Sequence, residues 1–205
     1  QIDKMACTRD ILSFMVIGQE DGKANNYVIV KTYTGGYRFI CIDNERTFLT
    51  ALAYCKKDDI NNIGLVWKDI HLCLPLLFES INLQARTCFL KLNVEKVLGA
   101  WLNDMEQIDK EWRLLLGEKY IRYDDYNYYL RTSDKTDSIM ALPTSQKLIN
   151  ALSFKMHAMQ EWMNNEKKAT APLYNLLKKI EPIYAEEINK IIEETKKDMT
   201  NNGKL

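Results

Sequence analysis

Residues 19–48 read Gln19-Glu-Asp-Gly-Lys-Ala-Asn-Asn-Tyr-Val-Ile-Val-Lys-Thr-Tyr-Thr-Gly-Gly-Tyr-Arg-Phe-Ile-Cys-Ile-Asp-Asn-Glu-Arg-Thr-Phe48. Two runs rich in β-branched and aromatic residues, Tyr27–Thr32 and Tyr37–Ile42, flank Tyr33-Thr-Gly-Gly36. Glycines tolerate the positive φ that hairpin turns require, so the spacing predicts an antiparallel hairpin. A hairpin centred between residues 34 and 35 sets Asn26 beside Asp43 at its open end. An amide and a carboxylate held together near Asp21 offer hard oxygen donors of the kind that suit Mg2+ with bound phosphates. Lys23 adds a cation within the same loop, and phosphoryl transfer depends mostly on positioning and charge neutralisation by such groups. A plainer reading stands beside this one: Asp-Gly is a common turn, and Asp43 or Asn44 can cap a following helix.

Working outward, the 205 residues are 46% hydrophobic and 27% charged, the composition of a globular chain rather than a disordered one. Twenty-eight basic residues balance 28 acidic ones. No overall field therefore draws the protein to nucleic acid or anionic lipid. No apolar run is long enough to span a membrane; Ile70–Phe78 is short and carries His71 and Pro75. Five scattered cysteines (Cys7, Cys41, Cys55, Cys73 and Cys88) read as reduced, buried thiols in a cytosolic setting. The two histidines, His71 and His157, have no zinc-ligand spacing and read as satisfied core or boundary residues. A chain beginning at Gln1 rather than Met reads as a piece of something longer.

Beyond the hairpin the pattern is helical. Ile11, Leu12, Phe14, Met15 and Ile17 mark a helix before the loop, and short helices are expected around Leu49–Cys55 and Trp67–Phe78, the second broken at Pro75. Val94, Leu98, Trp101, Met105, Ile108, Trp112 and Leu115 alternate steps of four and three, with Asn93 as N-cap and Gly117 as stop. Tyr120–Asp137 reads as an irregular excursion. Thr144 caps a helix whose Leu148, Leu152, Met156, Met159 and Met163 form one apolar face. Thr170 with Pro172 opens another over Ala171–Ile180, and Pro182 starts a last helix to about Lys197. The expected fold is mainly α with one short β-hairpin: a core over residues 1–90 carrying the loop and hairpin, with a helical bundle over 91–205 in the same structural unit.

Asp21, Lys23 and Asn26 have the spacing Asp-x-Lys-x-x-Asn, which resembles the protein-kinase catalytic loop, and Asp43 stands where that superfamily's second metal-binding Asp follows a hairpin. Ile42-Asp-Asn in place of Asp-Phe-Gly looks more like type II phosphatidylinositol 4-kinases and HipA-type kinases. Glu20-Asp-Gly-Lys, Asn26-Tyr-Val-Ile, Tyr37-Arg-Phe-Ile-Cys-Ile-Asp-Asn and Phe48 resemble a kinase-like family of Legionella-type secreted effectors. The resemblance implies a kinase-like carboxyl-terminal lobe using ATP and Mg2+. Asp21 would orient or deprotonate the acceptor, Lys23 would contact the transferred phosphate, and Asn26 and Asp43 would hold the metal. It also implies secretion into a host cell, with a host protein, phospholipid or small molecule as acceptor and a phosphoryl or nucleotidyl group transferred. Gln19 and Glu20 replace the kinase His-Arg, and Asn44 and Glu45 replace Phe-Gly. Only 20 residues precede Asp21, so the glycine-rich strand and strand Lys of the amino-terminal lobe are absent from this sequence, and the chain alone is expected to be inactive. The alternative is a non-catalytic pseudokinase or a helical module that binds a host protein.

Overall fold

The computed structural model describes residues 1–18, 24–42, 52–54, 63–65, 67, 69–117, 146–165 and 170–201. The chain is mainly helical with an antiparallel hairpin near its start, as the sequence predicts. Helix α1 spans Lys4–Ile17, followed by hairpin strands β1 (Tyr27–Lys31) and β2 (Tyr37–Cys41). A second antiparallel pair joins β3 (Leu52–Tyr54) to β4 (Ile63–Leu65). Two 3-10 turns, Ile70–Cys73 and Pro75–Phe78, lead into α2 (Leu83–Leu90) and α3 (Val94–Leu116). Helices α4 (Gln146–Asn164), α5 (Leu173–Ile180) and α6 (Pro182–Asn201) complete the order. By its contacts the chain divides into two compact units, 1–90 with 158–205, and 91–157.

In the first unit, α1 presents Cys7, Ile11, Leu12, Phe14 and Met15 to a core that also buries Leu77, Met159, Met163, Leu173, Leu176, Leu177 and Tyr184. Trp67 lies within this core, 1% exposed, with Phe14 and Tyr184 set edge-on at centroid distances of 5.4 Å. Tyr184 buries a hydroxyl there at no polar cost because it donates to the Trp67 carbonyl at 2.7 Å. The Arg86 guanidinium reaches the Met163 carbonyl at 2.8 Å, satisfying an end of α4 that has no intrahelical partner. In the second unit the expected α3 is present end to end. The Asn93 side chain accepts from the Lys96 N–H, and Gly117 closes the helix at φ +54°. Val94, Leu98, Leu148, Leu152 and Met156 are buried, and His157 sits on an exposed face, 2.9 Å from Glu95.

Three local expectations change. Leu52–Tyr54, expected in a short helix, is a strand, because its pairing with Ile63–Leu65 outweighs weak local propensity. Cys88 is exposed and Cys41 half-buried, against the expectation of buried thiols; like the buried Cys7, neither is in a disulfide. Where a helix around Trp67–Phe78 is expected, Ile70–Cys73 and Pro75–Phe78 are two 3-10 turns split at Leu74, with Pro75 starting the second. Pro182 begins α6 as expected, and that helix runs to Asn201. Thr144 and Tyr120–Asp137 lie outside the described residues.

The hairpin itself is anchored from the amino end. Ile2 pairs in parallel with Tyr37 through bonds from the Tyr37 N–H to the Gln1 carbonyl and from the Asp3 N–H to the Tyr37 carbonyl. Asp3 then caps α1 by accepting from the Ala6 N–H at 2.9 Å, while its other oxygen accepts from the Thr34 hydroxyl. Gly36 eases this approach, since a Cβ there would come to 3.1 Å from the Asp3 backbone and make it give by a few tenths of an ångström. These hydrogen bonds, the Ala6 N–H first, lower the Asp3 carboxyl from 3.8 to about 2. Its contribution to stability is therefore complete above the ordinary carboxylate value and fades as pH falls from there toward about 2. Asp3→Ala is expected to cost about 1 kcal/mol at neutral pH by urea denaturation, with the deficit shrinking through that acid window. A deficit that stayed constant on acidification would contradict the assignment.

Candidate functional site

At the hairpin, β1 and β2 pair Tyr27 with Cys41 and Lys31 with Tyr37. Thr32 pairs with Gly36 through its N–H, and the Gly35 N–H returns to the Thr32 carbonyl at 3.0 Å. The loop is thus three residues long, a turn followed by Gly35 at φ +86°. An odd loop moves the centre onto Thr34, half a residue from the expected position, and shifts every partner by one. Asn26 consequently stands opposite Ile42, whose N–H donates to the Asn26 carbonyl at 2.9 Å, and not opposite Asp43. Asn26 ends a 3-10 turn, Ala24–Asn26, directly before β1. Asp21, Lys23 and Asp43 lie outside the described residues.

A different set of polar side chains converges where α1, the hairpin and the 3-10 turn Ile70–Cys73 meet. Cys7 and Asp10 lie three residues apart on α1, which puts them on one face. Asp69 caps the 3-10 turn, its Oδ1 accepting both the His71 N–H at 2.7 Å and His71 Nδ1 at 2.6 Å. Asp69 Oδ2 accepts from the Tyr27 hydroxyl at 2.7 Å. A carboxylate only accepts, so His71 Nδ1 carries the hydrogen. From β2, Arg38 Nη2 donates to Asp10 Oδ1 at 2.7 Å. The His71 ring is gripped edge-on by Tyr27 and Phe39 at 5.5 and 5.8 Å.

Burial governs the chemistry. Cys7 is fully buried, His71 is 3% exposed and Asp69 8%. Burial, reinforced by the charge of Asp10, pushes the Cys7 thiol up to about 11, so it is no free thiolate nucleophile at neutral pH. Burial also raises Asp10, against the opposing pull of Arg38 and His71. Burial first and the Asp69 carboxylate second raise the Tyr27 hydroxyl, which stays protonated as the donor its bond requires. Among the described residues, three buried side-chain atoms, all in this cluster, have no hydrogen-bond partner: Asp10 Oδ2, His71 Nε2 and Arg38 Nε. A cavity of about 130 Å³ adjoins them, lined by Asp10, Tyr27, Arg38, Phe39, Cys41 and His71 among others.

In the sequence alone, Cys7 reads as a buried thiol and His71 as a core or boundary histidine, and Asp10 belongs to no motif. The local signals are Cys7-x-x-Asp10 on a helix and Asp69-x-His71 at a cap; the long separation between them hides their meeting. No protein-family model, curated protein or solved structure matches the chain. Because the Tyr27 hydroxyl serves a buried carboxylate, Tyr27→Phe should lower stability by about 1.5–3 kcal/mol in urea denaturation. A loss of a few tenths would mean that water replaces the bond and that the cluster is looser than its geometry.

Proposed function

We propose that the chain supplies the catalytic loop and metal ligands of a kinase-like, Mg2+-ATP-dependent phosphotransferase. The observation that supports this reading is the mouth of the hairpin, where the Ile42 N–H closes on the Asn26 carbonyl at 2.9 Å. The last residue of the Asp-x-Lys-x-x-Asn loop and the residue directly before Asp43 are joined there by backbone. The order is also that of a kinase carboxyl-terminal lobe: a helix, then the loop, then a hairpin, then an acid. Asn26 offers an amide oxygen, a hard donor of the type Mg2+ prefers. On this reading Asp21 accepts the proton of the acceptor hydroxyl and Lys23 meets the transferred phosphoryl group. Asn26 and Asp43 hold the metal, which neutralises charge on the phosphate oxygens. The bond from the terminal phosphorus to its bridging oxygen breaks as the bond to the acceptor oxygen forms.

A second reading, a non-catalytic module that binds another protein, draws on the apolar side chains of β1. Val28, Ile29 and Val30 are 41%, 66% and 38% exposed on a strand that carries few charges. Calorimetric titration of magnesium-ATP separates the two. Saturable binding that Asp43→Ala abolishes is the expected result. Binding that survives Asp43→Ala undiminished contradicts the phosphotransferase reading.

A further inference from the structure

We infer that Cys7, Asp10 and His71 bind one divalent transition-metal ion, best matched by zinc, at the junction of α1 and the 3-10 turn Ile70–Cys73. The site shares no residue with the phosphotransferase reading and stands without it.

The donor atoms of the three side chains lie within 4.8 Å of one another, and His71 Nε2 is 4.0 Å from Asp10 Oδ2. That distance is too long for a hydrogen bond. It is close to the roughly 3.3–3.8 Å that zinc bonds of about 2.0–2.3 Å impose on donor pairs in a tetrahedron. For this pair a contraction of a few tenths of an ångström around an ion closes the difference.

The hydrogen bonding sorts itself by side. On Asp10, Oδ1 is held by Arg38 while Oδ2 has no hydrogen-bond partner among the described residues; on His71, Nδ1 is held by Asp69 while Nε2 has none. The satisfied atoms thus orient the ligands, and the bare atoms face one another. Carboxylate support of this kind fixes the imidazole tautomer and strengthens its donor nitrogen in metal sites. Asp69 is fixed in turn by Tyr27 and by the His71 N–H. Buried polar atoms without partners are costly, so two of them facing one another ask for a ligand.

The donor set chooses the ion. A sulfur, an imidazole nitrogen and one carboxylate oxygen suit zinc and its neighbours, whereas Mg2+ and Ca2+ take oxygen cages. Charge agrees, because the buried Asp69 carboxylate and the half-buried Asp10 carboxylate outnumber the Arg38 guanidinium paired with Asp10. An ion bound through a Cys7 thiolate offsets that excess. Three protein donors leave a fourth position, and Asp10 and His71 both line the adjoining cavity of about 130 Å³, which has room for a water or a small anion.

Cobalt(II) titration of the folded, metal-stripped chain tests the site, since cobalt reports its ligands by colour. One equivalent should bind with tetrahedral visible bands and a thiolate-to-metal charge-transfer band in the near ultraviolet, and zinc should displace it. Cys7→Ser should remove the charge-transfer band, and His71→Gln should weaken binding by about tenfold or more. Cys41→Ser, beside the cavity but outside the ligand set, should leave the spectrum unchanged. The proposal is overturned if the folded wild type takes up no cobalt or shows no thiolate band. It is overturned equally if the band survives Cys7→Ser, or is lost in a folded Cys41→Ser chain. Should Cys7→Ser fail to fold, His71→Gln and Cys41→Ser decide by their opposite outcomes: equal affinities overturn the proposal.

Discussion

The Asp69 carboxylate, buried and accepting three hydrogen bonds, is the constraint on which the functional region depends. One oxygen caps the 3-10 turn and holds the His71 ring; the other takes the Tyr27 hydroxyl at the start of β1. A charge so placed is tolerable only when its lone pairs are occupied, which makes the turn, the imidazole and the hairpin interdependent. Removing one partner leaves the charge exposed to apolar surroundings, so the group is retained as a unit or lost as a unit. Arg38 and Asp10 extend the same logic from β2 to α1.

The apolar core supplies the rigidity against which this polar cluster is held. Trp67, two residues before Asp69, is fixed by Phe14, by Tyr184 and by the hydrogen bond to its own carbonyl. The backbone leading into the cap is thereby positioned by close packing rather than by the cap alone. From the amino end, Asp3 ties α1 to the hairpin turn, so α1 and β2 are joined at both the Asp3 and the Asp10 level. The hairpin that carries Asn26 to Ile42 and the helix that carries Cys7 and Asp10 are in this sense one assembly.

Legibility in the sequence followed the range of the interactions. Helix α3 was readable to its caps because its stripe, Asn93 and Gly117 are all local signals, and the Met156, Met159 and Met163 face was readable for the same reason. The hairpin was readable as a hairpin, but its register was not. Paired glycines suggest an even turn, and only the hydrogen bonds of Thr32, Gly35 and Gly36 reveal a loop of three residues, with positive φ at Gly35 and not at Gly36. Leu52–Tyr54 misled because its strand identity comes from Ile63–Leu65 and not from its own residues. The Cys7, Asp10 and His71 cluster was invisible at the level of spacing, since a helix and a distant cap meet only through the core. Asp21, Lys23 and Asp43 were singled out from motif and resemblance, which are the grounds that continue to support their proposed roles.

The central claim is that the buried polar cluster is organised around a metal ion and is not simply a set of ion pairs. X-ray absorption at the zinc edge, on the folded chain loaded with one equivalent of zinc, addresses it most directly. The account predicts a first coordination shell of one sulfur among nitrogen and oxygen donors, the sulfur near about 2.3 Å. A shell of nitrogen and oxygen alone, or one with several sulfurs, would contradict it.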